Sequence, residues 1–464
     1  MTDSASGDPH SLAHLLRCPR CTRVALELAR AGWICSACSS GYPLVGDIPW
    51  LLRDPQDALS DWRARLALLT RQLRDDATRM DRELATGPSA AALADATIQR
   101  LQWHSAANRD QAARLERLLE PIAIPAVLAS VRRGFGTALP TEQGLTNYYV
   151  NLHRDWCWGD EENAAAFTEV RAVLGSELDL GFTLVLGAGA GRLAYDIHEQ
   201  CAPVCTVVSD FNPLLLFVAR EMFAGRTLQL YEFPIAPRGL LDVAQLRTLA
   251  APRAARSGYH LVAADALDAP FAPGAFDTVV TPWLIDIVGE PLAAFAARIN
   301  QLLKPGGRWL NCGSLAFNRA PFAERLSLDE AMKVLTGSGF APPELREATI
   351  PYMRSPASRH ARLETVVNWS ARKRARVAAV APRHLPEWLS NSEVPVPRTA
   401  AIEFESVSSR VHAFLLALVN GERSVRDMAQ LIVEQRLLPA DEAEAAVRRF
   451  LRQTFETSEQ RDQF

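Results

Sequence analysis

Apolar positions recur with two different periods along the chain, and the change of period predicts its organisation. Between residues 55 and 119, side chains such as Leu59, Trp62 and Leu66 recur every three or four positions, which predicts long helices. Between about residues 140 and 372, short apolar runs alternate with amphipathic segments. Strands are predicted at 183–186, 204–209, 261–264, 278–281 and 308–312, and helices at 193–200, 213–222 and 291–303. Such alternation is typical of a mostly parallel sheet covered by helices.

The segments on either side of this α/β region predict smaller units. Residues up to 53 are dense in turn formers and end in two strand-like runs. A proline-rich linker covers residues 382–397, and a short strand at 402–405 followed by three helices is predicted after it. We therefore expect four parts, which are an N-terminal module at 10–53, a helical connector at 55–138, an α/β domain at 140–372 and a C-terminal helical module at 400–456.

Composition and charge narrow the classes of protein. At about 150 residues per domain, 464 residues suggest roughly three domains. The net charge of −3 argues against a strongly basic nucleic-acid binder. No apolar run approaches the ~18 residues of a membrane span, and the polar start lacks the apolar centre of a signal peptide. We therefore expect a cytoplasmic protein without membrane association, whose thiols are reduced.

Four of the eight cysteines lie close together near the N-terminus. They form two Cys-x2-Cys pairs, Cys18 with Cys21 and Cys35 with Cys38, separated by thirteen residues. Two such knuckles supply four thiolates in a closed tetrahedral set, which suits structural zinc. Reduced or redox-active cysteines are the alternative. Together with the apolar residues that follow, the pattern resembles the zinc-ribbon activator module that partners several methyltransferases.

A glycine-rich turn between a predicted strand and a helix indicates a nucleotide-like cofactor. The turn reads Gly187-Ala-Gly189-Ala-Gly191, and its last glycine arrives one residue earlier than in the dinucleotide motif. The shorter form is usual for S-adenosyl-L-methionine, which we predict as cofactor in preference to NAD. Later strand ends carry further candidate contacts, and for the acids among them helix capping is the alternative. These candidates are Asp210 for the ribose, Asp265 and Ala266 for the adenine, and Trp283 beside the ligand.

The order of these parts is the layout of class I methyltransferases, whose cores are Rossmann-like α/β domains. Within it, residues 140–372 resemble the carnosine N-methyltransferase family. The resemblance rests on Arg154-Asp-Trp with Gly159, on the glycine turn, on the acidic Asp286 after the fourth strand, and on two later blocks, Lys304-Pro-Gly-Gly-Arg-Trp-Leu-Asn and Leu326-Ser-Leu-Asp-Glu. The Arg-Asp-Trp segment is absent from most class I methyltransferases. Two departures affect the substrate pocket, because the family's histidine is missing from residues 313–318 and its Asn-rich segment becomes Met353-Arg-Ser.

The resemblance implies roles for several residues. Asp286 would hold an imidazole N–H of the acceptor and fix the reactive tautomer, with capping as the alternative. Tyr352 and Trp283 would line the pocket and face the cationic centre, unless they are plain core aromatics. Arg192 pairs either with the cofactor carboxylate or with Asp155. The same fold and cofactor are implied more firmly than the same substrate.

Three functions are consistent with the sequence. The first is an S-adenosylmethionine-dependent methyltransferase acting on a nitrogen, such as an imidazole nitrogen, of a small molecule or peptide. The second is an RNA methyltransferase for rRNA or tRNA that uses the ribbon to bind RNA, which the near-neutral ribbon disfavours. The third is an inactive scaffold. The C-terminal module resembles small winged-helix modules that bind leader peptides, so a peptide or protein partner is one interpretation of it, and a helical dimerisation or lid domain is another.

Overall fold

The computed structural model describes residues 9–30, 32–86, 93–123, 144–318, 320–381, 388 and 393–462. The chain divides into two compact units, Met1–Leu385 and Pro386–Phe464. The first unit contains the N-terminal sheet, the helical connector and the α/β core. The parts of the connector prediction at 87–92 and 124–138 lie outside the described residues.

The N-terminal module is a small antiparallel sheet, and the connector after it is a helical hairpin. Its strands occur in the order β1-β2-β3-β4, and the two Cys-x2-Cys turns flank β1 and β2. The long helices α1 and α2 then pack against each other, as the helical period predicted. The bounds are β1 (Leu26–Ala29), β2 (Gly32–Cys35), β3 (Gly41–Val45), β4 (Ile48–Pro49), α1 (Pro55–Thr86), α2 (Asp95–Leu118) and α3 (Glu120–Ala123).

A seven-stranded sheet forms the core of the first unit. Its strands are β5 (Phe182–Leu186), β6 (Cys205–Asp210), β9 (Tyr259–Ala263), β10 (Phe276–Pro282), β11 (Leu303–Gly313), β12 (Glu344–Tyr352) and β13 (Arg362–Arg372). A separate hairpin, β7 (Leu228–Glu232) with β8 (Gln245–Leu249), is inserted before β9. The spatial order is β9-β6-β5-β10-β11-β13-β12, and only β13 runs antiparallel to its neighbours. Numbered by chain position within the sheet, this order is 3-2-1-4-5-7-6.

This order confirms the predicted fold class. A dinucleotide-binding Rossmann sheet has the order 3-2-1-4-5-6, whereas the antiparallel strand inserted before the last position is the class I methyltransferase arrangement. The strand order reverses between β5 and β10, because β6 and β9 extend from one side of β5, and β10 and β11 from the other. Such a switch point opens a crevice at the carboxyl ends of the strands. The helices of the core are α4 (Tyr149–His153), a π-helical turn (Arg154–Trp158), α5 (Asp160–Leu174), α6 (Arg192–Gln200), α7 (Pro213–Phe223), α8 (Leu292–Leu302) and α9 (Leu328–Gly337).

The N-terminal sheet continues the core sheet at its β9 edge. Trp50 forms a parallel bridge with Ala263, and the N–H of Leu51 donates to the carbonyl of Ala263 at 2.8 Å. The buried residues Trp33 and Tyr42 belong to the same hydrophobic cluster as Val262 of β9. The small sheet therefore covers an edge strand that would otherwise present unpaired backbone groups.

The second unit is helical over its described residues. It contains α10 (Ala400–Leu418), α11 (Val425–Glu434) and α12 (Ala440–Asp462), and no strand is present between residues 393 and 462. The predicted strand at 402–405 is wrong, because these residues lie within α10. Ile402 and Phe404 alternate with glutamates as in a strand, but Thr399 caps the helix by accepting the N–H of Ile402 at 3.2 Å. Among the described helices, none has both the length and the apolar character required for a membrane span.

Candidate active site

A cavity of about 750 Å³ lies at the carboxyl ends of the central strands. This volume falls in the range of about 300–1,000 Å³ that is typical of small-molecule sites. Most of the residues predicted as core site residues line it, although they come from five separate segments of the chain. These lining residues are Gly187, Gly189, Arg192, Asp210, Asp265, Ala266, Trp283, Asp286 and Tyr352.

The glycine turn lines the cavity, and each position requires glycine for a different physical reason. All three have positive φ, at 61° for Gly187, 60° for Gly189 and 83° for Gly191. A Cβ on Gly189 would meet nothing within 4 Å, so this position faces open space. A Cβ on Gly191 would contact Phe223 at 3.0 Å. Gly191 is therefore a packing position at the start of α6, behind the cavity wall, and not one of its lining residues.

Asp210 ties the glycine turn to the end of the next strand. One carboxylate oxygen accepts the N–H of Gly189 and the other accepts the N–H of Asn212, each at 2.9 Å. A carboxylate has about four acceptor positions, so capacity for a ligand remains beside these bonds and a further backbone contact from Phe211. Burial raises the pKa of Asp210 from 3.8 to about 6.

Asp265 and Ala266 follow the end of β9 and line the cavity. The Asp265 carboxylate accepts the N–H of Leu267 at 2.9 Å, which is the capping role that the sequence left open. Burial raises the pKa of this carboxyl group. Its position on the cavity wall leaves the ligand-contact prediction open alongside capping.

The Arg-Asp-Trp segment forms the π-helical turn and supports the glycine turn from below. The indole N–H of Trp156 donates to the carbonyl of Ala190 at 2.9 Å. Gly159 is required after it, because a Cβ there would lie 2.3 Å from the carbonyl oxygen of Arg154. Arg154 lines the cavity and pairs with the Asp155 carboxylate at 2.7 Å.

Arg192 has its donors directed at the protein. Its guanidinium donates to the main-chain oxygen of Asp155 at 2.7 Å, and it pairs with Asp160 and Asp196 at 3.1 Å each. Of the two partners left open by the sequence, the contact with the Asp155 segment is present, and because Arg192 also lines the cavity the cofactor contact stays a prediction. Arg154 also lines the cavity, and in the sequence it stood out only as part of the Arg-Asp-Trp motif.

The opposite wall carries the predicted acceptor residues. Trp283 follows β10 with φ at 50°, and its ring lies 4.6 Å from that of Tyr352, centroid to centroid. The Asp286 carboxylate accepts the N–H of Ala316 at 3.2 Å and lines the cavity. Burial raises the pKa of Asp286. Asp286 thus makes a local backbone contact and also faces the cavity, so both interpretations of its role remain.

The hairpin of β12 and β13 covers this wall with a polar surface that sequence reasoning missed. Ile350 pairs with Glu364 and Tyr352 pairs with Arg362, so these four side chains share the face toward the cavity. The Arg362 guanidinium lies 4.5 Å from the Tyr352 ring centroid and 3.1 Å from the Glu364 carboxylate. Side chains alternate between the two faces of β13, so the register with Tyr352 is sufficient to place Arg362 and Glu364 on the cavity side.

Glu162 holds the end of this hairpin in place. Its carboxylate is buried and accepts the N–H groups of Met353 and Arg354 at 3.0 and 2.7 Å. Because Glu162 lies in the first turn of α5, it connects Tyr352 with the turn that carries Arg154.

The four N-terminal cysteines come together in space. Their sulfur atoms all lie within 4.8 Å of one another, with Cys18 and Cys38 at 3.7 Å and Cys21 and Cys35 at 3.6 Å. A tetrahedral zinc site with Zn–S bonds of about 2.3 Å needs sulfur separations of about 3.8 Å. The two knuckles are alike, since the N–H groups of Thr22 and Ser39 donate to the carbonyls of Cys18 and Cys35 at 2.9 and 2.8 Å. The donor set and its spacing fit zinc.

The sheet order, the cavity at the switch point and the glycine turn are those of the class I S-adenosylmethionine-dependent methyltransferase fold. Residues 151–375 match a family model described as carnosine N-methyltransferase. This match confirms the predicted resemblance to that family over a little less than half of the chain.

Individual relatives are distant. The chain is 25% identical over 211 residues to "Carnosine N-methyltransferase unmet" of Drosophila melanogaster. The matched region covers 41% of this chain and 44% of the relative. The match thus spans less than half of that relative's length. Among solved structures, phosphoethanolamine N-methyltransferase 2 of Haemonchus contortus is 19% identical, with 40% of this chain and 39% of that chain covered and a TM-score of 0.28. The N-methyltransferase NodS of Bradyrhizobium japonicum is 15% identical, with 49% and 98% covered and a TM-score of 0.32.

Proposed function

We propose that the chain transfers a methyl group from S-adenosylmethionine to a nitrogen atom of a small molecule or peptide, with an imidazole nitrogen as the favoured acceptor. One observation carries this proposal. A single cavity is lined both by the glycine turn with Asp210 and by Asp286 with Tyr352. The family model contributes the class of reaction, and the residues of this chain contribute the assignment below.

The cofactor wall suits S-adenosylmethionine. The open space above Gly189 lets a ligand approach the backbone, and Asp210 keeps acceptor capacity for a ribose diol. Asp265 and Ala266 would contact the adenine, and Arg154 would attract the carboxylate of the methionyl part. Bound there, the cofactor supplies an already activated methyl group, so the protein chiefly positions the nucleophile and excludes water.

The acceptor wall suits a nitrogen heterocycle. In this proposal the Asp286 carboxylate accepts one imidazole N–H, which leaves the lone pair of the other ring nitrogen free for the methyl group. Trp283 and Tyr352 offer aromatic faces beside the reacting centre, where positive charge is favoured. The Arg362–Glu364 pair at the rim would meet charged groups on the remainder of the acceptor.

The decisive measurement is methyl transfer from labelled S-adenosylmethionine to histidine dipeptides, peptide pools and rRNA. We expect labelling of an imidazole-bearing acceptor and not of RNA. An Asp286→Asn variant should lose about 10- to 100-fold in kcat/KM, since a hydrogen bond to a charged group contributes about 1.5–3 kcal/mol. Its affinity for the cofactor should not change. Full activity of this variant on an imidazole acceptor would refute the role of Asp286.

We also propose that Cys18, Cys21, Cys35 and Cys38 bind one structural zinc ion. The sulfur separations support it, and four thiolates leave no open coordination position for catalysis. Metal analysis of the purified chain should give one zinc per molecule, and none in a Cys21→Ser/Cys38→Ser variant. Retention of stoichiometric zinc by that variant contradicts the assignment.

A further inference from the structure

The N-terminal module contacts the core at the loop that carries two of the proposed cofactor residues. Arg17 lies immediately before the first cysteine of the cluster. Its Nε and Nη2 groups donate to the carbonyl of Ala269 at 3.4 and 3.3 Å, and Nη2 lies 3.6 Å from the Asp268 carboxylate. The main-chain N–H of Arg17 donates to the carbonyl of Pro270 at 2.9 Å. These acceptors follow Asp265 and Ala266 directly.

The same loop is held by the module at both of its ends. At its start, the N–H of Leu51 donates to the carbonyl of Ala263 at 2.8 Å. At its end, Leu16 bridges to Phe271, and the N–H of Ala272 donates to the carbonyl of Leu15 at 2.7 Å. Residues 263–272 therefore contact the N-terminal module both before and after residues 264–267, which line the cavity.

The position of Arg17 depends in turn on the cysteine knuckle. The N–H of Cys18 donates to the carbonyl of Arg23 at 2.8 Å, and its sulfur belongs to the four-cysteine cluster. A module of about 50 residues has too small a core to fold firmly alone, so a metal at the cluster would fix the knuckle and Arg17 with it.

We propose that Arg17 is a positioning residue through which zinc in the N-terminal module and S-adenosylmethionine in the cavity stabilise each other. Arg17 holds residues 265–270 in the conformation that binds the adenine, and metal loss releases this hold. The inference rests on the proposed function in one respect, because it takes Asp265 and Ala266 as cofactor contacts. Coupling free energies are reciprocal, so the cofactor must tighten zinc binding by the factor by which zinc tightens cofactor binding.

The test uses the full chain loaded with zinc and S-adenosylhomocysteine as the probe. Arg17→Gln should raise the Kd for S-adenosylhomocysteine about tenfold in calorimetry, within the range of about 5- to 150-fold that is typical of coupled sites. Hydrogen exchange of residues 264–272 should accelerate in the ligand-free protein. Release of zinc to a coloured chelator should be slower when S-adenosylhomocysteine is bound, and this protection should disappear in Arg17→Gln.

Arg220 provides a matched control. It is an arginine of similar exposure that also joins the core to the N-terminal module, since its Nη1 donates to the carbonyl of Gly46 at 3.0 Å. Neither this hydrogen bond nor the pairing of Arg220 with Glu221 involves residues 263–272. Arg220→Gln should leave the Kd and the exchange of residues 264–272 unchanged. If Arg17→Gln does not fold, Asp268→Asn removes the charge opposite Arg17 and should raise the Kd in the same direction, by a smaller factor.

The outcomes separate the two proposals. Wild-type protein that does not bind S-adenosylhomocysteine refutes the proposed function, and hydrogen exchange of residues 264–272 then decides on Arg17 by itself. Wild-type affinity and unchanged exchange in Arg17→Gln overturn the positioning role. Equal weakening by Arg17→Gln and Arg220→Gln also overturns it, because the module would then stabilise the core without a specific route to the cavity.

Discussion

Replacing Asp210 by asparagine tests the cofactor wall most directly. Asparagine has the same shape, but it has one carbonyl oxygen where the carboxylate has two. Two main-chain N–H groups, of Gly189 and Asn212, now donate to Asp210 at 2.9 Å each. The amide group of asparagine can satisfy one of them and must turn a donor toward the other, which costs about 1–3 kcal/mol.

The Asp210→Asn substitution has two opposing effects on folding stability, whereas both of its effects on cofactor binding are unfavourable. Loss of a backbone hydrogen bond destabilises the variant, but removal of a buried charge stabilises it, so we expect a modest net change in the free energy of unfolding. Binding loses both the negative charge and an acceptor for the ribose diol. We expect a loss of about 2–3 kcal/mol, which is a rise in Kd of about 30- to 150-fold.

Calorimetry with S-adenosylhomocysteine and urea unfolding measure the two quantities separately. Asp277→Asn is the matched control, because Asp277 also accepts a backbone N–H, that of Phe182 at 2.9 Å, but lies at the opposite end of the sheet. It should lose stability, together with its pairing to Lys304, and keep the wild-type Kd. Wild-type affinity in Asp210→Asn would refute the assignment of the ribose site.

Three further predictions concern pH, the π-helical turn and the acceptor rim. Burial raises the pKa of Asp210 from 3.8 to about 6, so folding stability falls as the group ionises between those pH values. The ionised form is the one that binds the diol, so affinity for S-adenosylhomocysteine should fall as the pH drops below about 6. A flat calorimetric profile between pH 5 and 8 contradicts this. Gly159→Ala should destabilise the fold by about 1–3 kcal/mol in urea unfolding, because its Cβ would lie 2.3 Å from the carbonyl oxygen of Arg154; unchanged stability would show that the turn adapts. Arg362→Gln should raise KM for an anionic acceptor with little change in kcat. Arg346, on the same hairpin but outside the cavity, pairs with Glu169, and Arg346→Gln should leave both KM and kcat unchanged. Equal effects of the two variants would remove Arg362 from the acceptor site.

Local sequence patterns were sufficient to predict those elements whose conformation is determined by a single segment of the chain. The glycine turn at 187–191, the strand ends at Asp210 and Asp265 and the helices between them follow from backbone conformation and period alone. The two cysteine pairs likewise predicted their own assembly, because each knuckle is a local turn. The strand predicted at 402–405 failed because four residues of alternation do not outweigh a helix that begins at a good N-cap.

The acceptor side and the contacts of the N-terminal module depended on packing between distant segments. Sequence alone determined the fold class, the glycine turn, the family resemblance and the cysteine cluster, since each is written in the order and spacing of residues along the chain. Tertiary structure decided that Arg192 binds the protein wall, that Gly191 packs behind the cavity, that Glu364 and Arg362 share a face with Tyr352, and that Arg17 reaches the loop after Asp265. The reason is that strand register and the contact between two sheets bring together residues up to about 250 positions apart, and no local pattern carries that information.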